Sequence, residues 1–217
     1  MPITGQSRRR LIAVGVTGVA IVALLFVFLV VIAIRNGQTE HGDGQGPLAS
    51  TGNPAHHEAV SFDAAKGGPW TLGYQLCLFE GNDPAVIESV SPAATVGSGF
   101  RILGTQIRQF KPAPAHTPIL SLDGYPPNLP DRLHPAVGFS VSNRCAAPGL
   151  PATYTELLIG IDHGAGNSGG GWRGIKVGYT AGGRHYAVTL GYDILICGSA
   201  VTNESHLCPT ASPSGSA

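Results

Sequence analysis

The pattern of apolar and polar positions divides the chain into one long uninterrupted apolar run and a series of short alternating ones. The long run covers residues 11–34, which are 24 positions without a charged side chain. As an α-helix it would be about 36 Å long, enough to cross a hydrocarbon core of about 30 Å. Lipid offers the backbone no hydrogen-bond partners, so a spanning segment of this kind has to be helical. We therefore predict a single transmembrane anchor over residues 11–35.

The charges on either side of this run predict its orientation. Arginines occupy positions 8–10, whereas only Arg35 follows the run directly. Positive residues stay on the cytoplasmic side, so residues 1–10 are expected to be a cytoplasmic tail and the rest of the chain extracytoplasmic. A cleaved signal peptide is the alternative, but its apolar region is about 7–15 residues long and a small-residue cleavage site follows it. The run here is longer, and residues 32–35 form a poor cleavage site.

Two segments lack the apolar side chains that a folded core needs. Residues 36–58 are rich in Gly and Pro and predict a flexible linker, and residues 209–217 predict a disordered tail. Residues 59–208 remain as one extracytoplasmic domain, long enough to bury a core of its own.

Short alternating runs between these segments predict strands. Leu72, Tyr74, Leu76 and Leu78 alternate with other residues, and the same spacing recurs at 155–161, 175–179 and 186–196. Period-2 alternation places one set of side chains on a core face. The Ala181-Gly182-Gly183 sequence between two such runs is a hairpin signal. The prediction is a mainly β protein with about seven to nine strands arranged as a β-sandwich, following the single N-terminal helix.

Prolines are concentrated in one part of the domain. Seven of them fall between Pro112 and Pro135, which excludes a central strand there. An extended loop that crosses the domain is the preferred interpretation, and an exposed recognition segment is the alternative.

One stretch resembles a known family. Val90-Ser91-Pro92, followed by Gly97, Phe100, Ile102 and Gly104-Thr105, is similar to the V-S-P…G…V-x-I-x-G-T run of bacterial immunoglobulin-like modules of the IPT/TIG type. The resemblance covers about 20 residues. It implies an immunoglobulin-like sandwich and carries no functional residues across.

Charge and cysteine content narrow the compartment and the partners. After Arg35 the chain holds 9 Lys and Arg residues against 13 Asp and Glu residues, a formal charge of −4, which argues against nucleic acid as a partner. The cysteines Cys77, Cys145, Cys197 and Cys208 all lie on the predicted outer side, where disulfides persist. Three pairings are open, with a preference for Cys77–Cys145 and Cys197–Cys208. The chain has 10 Arg and 3 Lys residues and abundant Gly, Ala and Pro, which is typical of a high-GC genome such as an actinobacterial one.

The sharpest candidate for chemistry is Ser168. The sequence Gly166-Asn167-Ser168-Gly169-Gly170 resembles the G-[DN]-S-G-G nucleophile motif of trypsin-like and HtrA-like serine proteases. That resemblance implies that Ser168 attacks a carbonyl, with a histidine as base and backbone N–H groups as oxyanion donors. No histidine of the chain stands in the sequence context of that family, and Gly-rich composition alone explains a loop here.

Other candidate sites are weaker. The scattered histidines show no H-x-H or H-x-x-x-H pair, so no metal site and no cofactor are expected. Trp172 and Arg173 are considered either as part of a binding surface at a loop end or, for Trp172, as a core residue.

These observations favour a non-catalytic function. The sequence predicts a membrane-tethered extracytoplasmic binding or structural module of the cell envelope, in contact with the lipid bilayer through its helix and with an envelope protein or cell-wall component through its domain. One alternative is a membrane-anchored serine hydrolase that uses Ser168. Another is an accessory subunit of a membrane complex, although the anchor lacks a G-x-x-x-G motif.

Overall fold

The computed structural model describes residues 44–50, 58–63, 68–79, 81, 83–111, 121–145, 153–163, 168–199, 201 and 208. Within these ranges there is no helix of the length and apolar character needed to span a membrane. The predicted anchor at 11–35, the cytoplasmic tail and the C-terminal tail at 209–217 lie outside the described residues.

The described part of the chain is built from β-strands, as predicted. Eleven strands follow one another there: β1 (Leu48–Ser50), β2 (Glu58–Asp63), β3 (Trp70–Leu78), β4 (Ala85–Gly97), β5 (Phe100–Phe110), β6 (Ser121–Asp123), β7 (Leu133–Pro135), β8 (Ser140–Val141), β9 (Tyr154–His163), β10 (Gly170–Ala181) and β11 (Arg184–Cys197). Five of them have six residues or fewer, which is why the sequence pattern alone indicated a smaller number.

The strands form two sheets. The first has the order β1-β3-β9-β5-β7, with β6 also pairing with β3, and the second has the order β2-β11-β10-β4-β8. All pairings between these strands are antiparallel except that of β2 with β11, which is parallel. The β10–β11 hairpin turns at Gly182 and Gly183, both of which have positive φ (55° and 75°), as a two-residue hairpin turn requires.

One apolar core lies between the two sheets. Alternate residues of β3 and β9, among them Leu72, Tyr74 and Ile159, pack with Trp172, Val177 and Tyr179 of β10 in a single buried cluster. The indole Nε1 of Trp172 donates a hydrogen bond to the Tyr74 hydroxyl across this core at 3.2 Å. The alternation seen in the sequence therefore correctly identifies the inward faces, and the β-sandwich layout is confirmed.

The outer face of the first sheet is covered as well. On this face Gly104 of β5 is opposite Gly160 of β9, and the ring of Tyr125 lies directly over both. Arg108 is opposite Glu156 in the same pair of strands and binds it at 3.2 Å, while Asp131 binds the other side of the guanidinium at 2.6 Å. Residues 124–132 of the Pro-rich segment thus cross the sheet as an extended loop between β6 and β7, and β9 is buried on both sides.

The linker prediction is wrong for residues 48–50. These residues form β1, whose Leu48 is opposite Leu78 of β3 and is buried in the core. The strand escapes sequence reasoning because it is only three residues long and follows four residues that contain two glycines and a proline. Strand pairing within the described domain therefore begins before residue 59.

Candidate functional site

An open cleft lies where the residues before β1, the residues after β3 and the β10–β11 hairpin meet. Its volume is about 630 Å³, and three short segments line it: residues 44–47, Phe79 with Gly81 and Asp83, and the hairpin from Ala181 to Tyr186. We call it the Phe79 cleft, because Phe79 is the large apolar side chain on its wall.

A pair of stacked tyrosines supports the Phe79 cleft: Tyr186 lines it and stacks on Tyr179, which is fully buried. The rings of Tyr179 and Tyr186 lie 5.6 Å apart, and the Tyr179 hydroxyl accepts a hydrogen bond from the backbone N–H of Leu48 at 3.2 Å. Gly46 runs directly over these rings, and a Cβ at this position would overlap both of them. Only glycine allows the backbone to approach the tyrosines so closely.

Backbone hydrogen bonds hold the walls in place. The N–H of Gly44 donates to the carbonyl of Ala187 at 3.0 Å, and the N–H of Phe79 donates to the carbonyl of Pro47 at 2.7 Å. The disulfide between Cys77 and Cys145 lies two residues from Phe79, and the N–H of Cys145 donates to the Leu78 carbonyl at 3.0 Å. The wall that carries Phe79 is therefore fixed by a covalent bond and by two neighbouring segments.

The side chains of the cleft combine an exposed ring with opposite charges. Phe79 is 72% exposed, although its backbone is held firmly. Asp83 and Arg184 are exposed on two different walls, and the Asp83 carboxylate lies against Gly182 at the hairpin turn. Neither of these two charges forms an ion pair within the described part of the chain. Such a surface can bind a ligand that has an apolar face and polar groups of either sign.

The cysteines pair as preferred from the sequence. Cys77 bonds Cys145 across 68 positions, and Cys197 bonds Cys208 across 11 positions. The second bond fixes Cys208 against Leu195 and Val201 in a small apolar cluster beside the end of β11. All four cysteines of the chain are thus in disulfides.

Ser168 lies at the entrance of β10, half-buried against the turn between β4 and β5. The N–H of Gly99 donates to the carbonyl of Gly169 at 2.9 Å, so this turn is closed onto the Ser168 loop. No hydrogen bond joins Ser168 to any of the histidines that the structure describes. Of these, His185 binds Glu88 at 2.9 Å, and His163 lies 3.9 Å from Asp162. The described residues therefore bring no base to Ser168.

The side chains of Trp172 and Arg173 lie on opposite faces of β10. Trp172 has no exposed surface, and it packs edge-on to Phe100 at 5.9 Å inside the core. The interpretation of Trp172 as part of a binding surface is therefore wrong, because period-2 alternation turns it inward. Arg173 points to the outer side, opposite Asp193 of β11. Among the described residues no cluster of His, Cys, Asp and Glu side chains could hold a metal ion.

Sequence reasoning missed the residues of the Phe79 cleft. In the sequence, Phe79 is simply the last residue of the alternating run that includes Cys77, and nothing there marks it as exposed. Residues 44–47 have the composition of a linker. The cleft depends on the long-range approach of three segments, for which the spacing of residues gives no signal.

No model of a protein family matches the chain, and no curated protein matches it either.

Proposed function

We propose that the protein is a membrane-tethered extracytoplasmic binding module of the cell envelope that has no catalytic activity of its own and uses the Phe79 cleft to bind an envelope protein or cell-wall component. The observation that carries this proposal is the exposed ring of Phe79 on a rigid wall of the cleft. Burying such a ring against a partner contributes about 1.5–3 kcal/mol to binding.

The rigidity of the cleft supports a binding role. Association costs free energy when loops and side chains have to become ordered, and a wall fixed beforehand avoids that cost. Phe79 follows a disulfide-bonded strand end, and Gly46 packs on stacked tyrosine rings. Aromatic and arginine side chains also dominate the binding energy of typical interfaces. Phe79, Tyr186 and Arg184 supply both kinds in one place.

The sequence and the disulfides support the location. The apolar run at 11–34 has the length of a bilayer-spanning helix, and the arginines before it keep the N-terminus in the cytoplasm. Two disulfides with no thiol left over suit an oxidising compartment. The acidic balance of the outer portion disfavours nucleic acid as the partner.

The immunoglobulin-like character of the sandwich belongs to the same proposal. The residues that resemble the IPT/TIG run, from Val90 to Thr105, fall on β4, on the turn that follows and on the first half of β5. Two mainly antiparallel sheets around one core are the layout that the resemblance implies. The parallel pairing of β2 with β11 is a local addition to that layout.

A pair of site-specific crosslinkers tests the binding role. A photo-crosslinking amino acid at Phe79 of the full-length protein in intact cells should give one adduct of defined mass, whereas the same amino acid at Leu122 should not. Leu122 is the matched control, because it is also an exposed apolar residue but lies opposite Thr71 near the start of β3, whereas Phe79 follows its end. The adduct should disappear when Arg184→Glu replaces the positive charge on this wall of the cleft with a negative one. Equal adducts at both positions, or none at 79, would contradict the proposal.

The two classes of partner give different results. If the partner is a protein, the adduct at 79 is sensitive to protease and insensitive to muramidase. If it is a cell-wall glycan, purified sacculi should sediment the full-length protein, and the Phe79→Ala variant should remain in the supernatant.

A further inference from the structure

The outer edge of β4 is open along most of its length. The strand has 13 residues and pairs with β10 along the whole of one edge. On its other edge it pairs with β8 only at Ala85 and Val86, and the backbone of Ile87 bonds Phe139 and Gly138. From Ser89 to Gly97, no strand among the described residues pairs with this edge. We call this stretch the β4 edge.

The β4 edge lacks most of the devices that keep sheet edges from pairing. Natural edges are short, charged, bulged or covered. The strands that end the described sheet paths are shorter, with three residues in β1, six in β2, three in β7 and two in β8. The β4 edge holds nine residues without a single charged side chain, and six of its small ones are exposed: Ser89, Ser91, Ala93, Ala94, Thr95 and Gly97.

Pro92 is the one residue of this edge that hinders strand pairing, and its position shows which backbone groups face the open side. The N–H and the carbonyl of Ile87 point away from β10. The pairing with β10 shifts by one residue after Ile87, so the backbone N and carbonyl groups that point away from β10 further along are those of Val90, Pro92, Ala94 and Val96. In the interior of a regular strand, a proline is tolerated where its missing N–H would face an open edge. Val90, Ala94 and Val96 retain both backbone groups for a new partner.

We propose that the β4 edge binds the same edge of a second copy of this chain, with the two strands antiparallel about a two-fold axis at Ala93. Antiparallel pairing makes one edge complementary to itself, which is the arrangement of an isologous dimer. In this register Ala93 is opposite its own copy, Ser91 is opposite Thr95, and Val90 is opposite Val96. Because the stretch carries no charge, no like charges meet across the axis.

The backbone and the side chains agree on this register. Ala94 of each copy donates its N–H to the carbonyl of Pro92 in the other copy. The reciprocal hydrogen bond is missing, because proline has no N–H to donate to the Ala94 carbonyl. Val90 and Val96 are half-buried at the sides of the apolar core, so their pairing extends that core across the axis. Ser91 and Thr95 meet on the outer face, where a hydroxyl pair is favourable. Tethering both copies to one membrane raises their effective concentration.

Paired charges at positions 91 and 95 test the proposal. The full-length protein in detergent should have the mass of a dimer by light scattering. The double variant Ser91→Lys/Thr95→Lys places two lysine pairs face to face and should weaken the dimer at least about tenfold, since like charges opposite one another destabilise a strand pair. The variant Ser91→Lys/Thr95→Glu places each lysine opposite a glutamate and should restore the dimer.

Circular dichroism separates loss of pairing from loss of fold, because both double variants should keep the β spectrum of the parent. A monomeric parent protein, or a Lys/Glu variant that is no more dimeric than the Lys/Lys variant, would overturn the proposal. A partner other than a second copy would give the first of these results.

Crosslinking in membranes is a second measurement. The Ala93→Cys variant should form a dimer with a short bismaleimide, because the two thiols face each other at the axis. Leu122→Cys is the matched control on an exposed strand of the other sheet. Equal crosslinking of the two variants would contradict the two-fold axis at Ala93.

Discussion

The ring of Tyr125 occupies the space that a side chain on Gly160 would need. Gly160 lies in the middle of β9, opposite Gly104 of β5, and the two glycines form a shallow slot in the outer face of the first sheet. A Cβ at Gly160 would overlap the Tyr125 ring. The Pro-rich crossing segment is therefore positioned by an aromatic ring on a pair of glycines.

Gly160→Ala should destabilise the domain by about 1–3 kcal/mol, which is the usual cost of overpacking a closely packed contact. The measurement is urea unfolding followed by tryptophan fluorescence. Because the clash is with the Tyr125 ring, Gly160→Ala should cost much less in a Tyr125→Ala background. An equal cost in both backgrounds would show that the ring is not the obstacle.

Arg108 and Arg101 form ion pairs of nearly the same length in very different surroundings. Arg108 is 2% exposed and lies between Asp131 at 2.6 Å and Glu156 at 3.2 Å, whereas Arg101 is 66% exposed and binds Asp162 at 2.7 Å. Arg108→Met removes the guanidinium that binds both of these buried carboxylates and should cost about 3–5 kcal/mol. Arg101→Met should cost about 0–1 kcal/mol, because water screens an exposed pair.

Chemical unfolding of the two methionine variants checks this difference. Similar losses of stability in both would contradict the view that Arg108 holds the crossing segment to the sheet.

Tyr74 predicts a change in stability at alkaline pH. Burial raises the pKa of its phenol far above the ordinary value of about 10, and the hydrogen bond from the Trp172 indole only partly offsets this. Because the folded-state pKa is the higher one, the stabilising contribution is present below about pH 10. It is lost as the pH rises above that value, where only the unfolded chain releases the proton.

The free energy of unfolding should therefore fall between about pH 9 and 11, and Tyr74→Phe should make that fall shallower. The same substitution leaves the Trp172 N–H without its acceptor and should cost about 1–3 kcal/mol at neutral pH. An unchanged pH slope in Tyr74→Phe would show that Tyr74 does not stay protonated in the fold.

Ser168 should not react as an activated nucleophile. A fluorophosphonate probe is expected to label the full-length protein no more than the Ser168→Ala variant, because no described histidine lies within hydrogen-bond reach of the serine. Stoichiometric labelling that Ser168→Ala abolishes would instead support the hydrolase interpretation.

The faces of the long strands could be predicted from sequence because alternation depends on nearest neighbours. Leu72, Leu157 and Val177 all lie inward as their spacing indicates. The outer cover of the first sheet could not be predicted in this way. Glu156 has the position of a solvent-facing residue in β9, yet it has no exposed surface, because Arg108 and the crossing segment lie over it. The burial of Glu156 depends on a contact between residues far apart in the chain.

The candidate site could also be predicted from sequence only in part, because it depends on contacts between residues far apart in the chain. The cysteine pairs could be inferred because a short loop favours Cys197 with Cys208, which leaves Cys77 for Cys145. The Phe79 cleft could not, because its walls come from residues 44–47, from residues that follow β3 and from the β10–β11 hairpin. From the sequence, Gly46 is expected in a flexible linker. In the fold, its backbone instead lies close to Tyr179 and Tyr186, which only a glycine allows.

Thiol labelling in intact cells tests the membrane topology, on which the proposed function depends, most directly. All four native cysteines are in disulfides, so a cysteine introduced at Leu122 or at Thr4 is the single reactive thiol of each variant. A membrane-impermeant maleimide should label Leu122→Cys in intact cells and Thr4→Cys only after lysis. Labelling of Thr4→Cys in intact cells, or protection of Leu122→Cys until lysis, would contradict a cytoplasmic N-terminus and an extracytoplasmic domain.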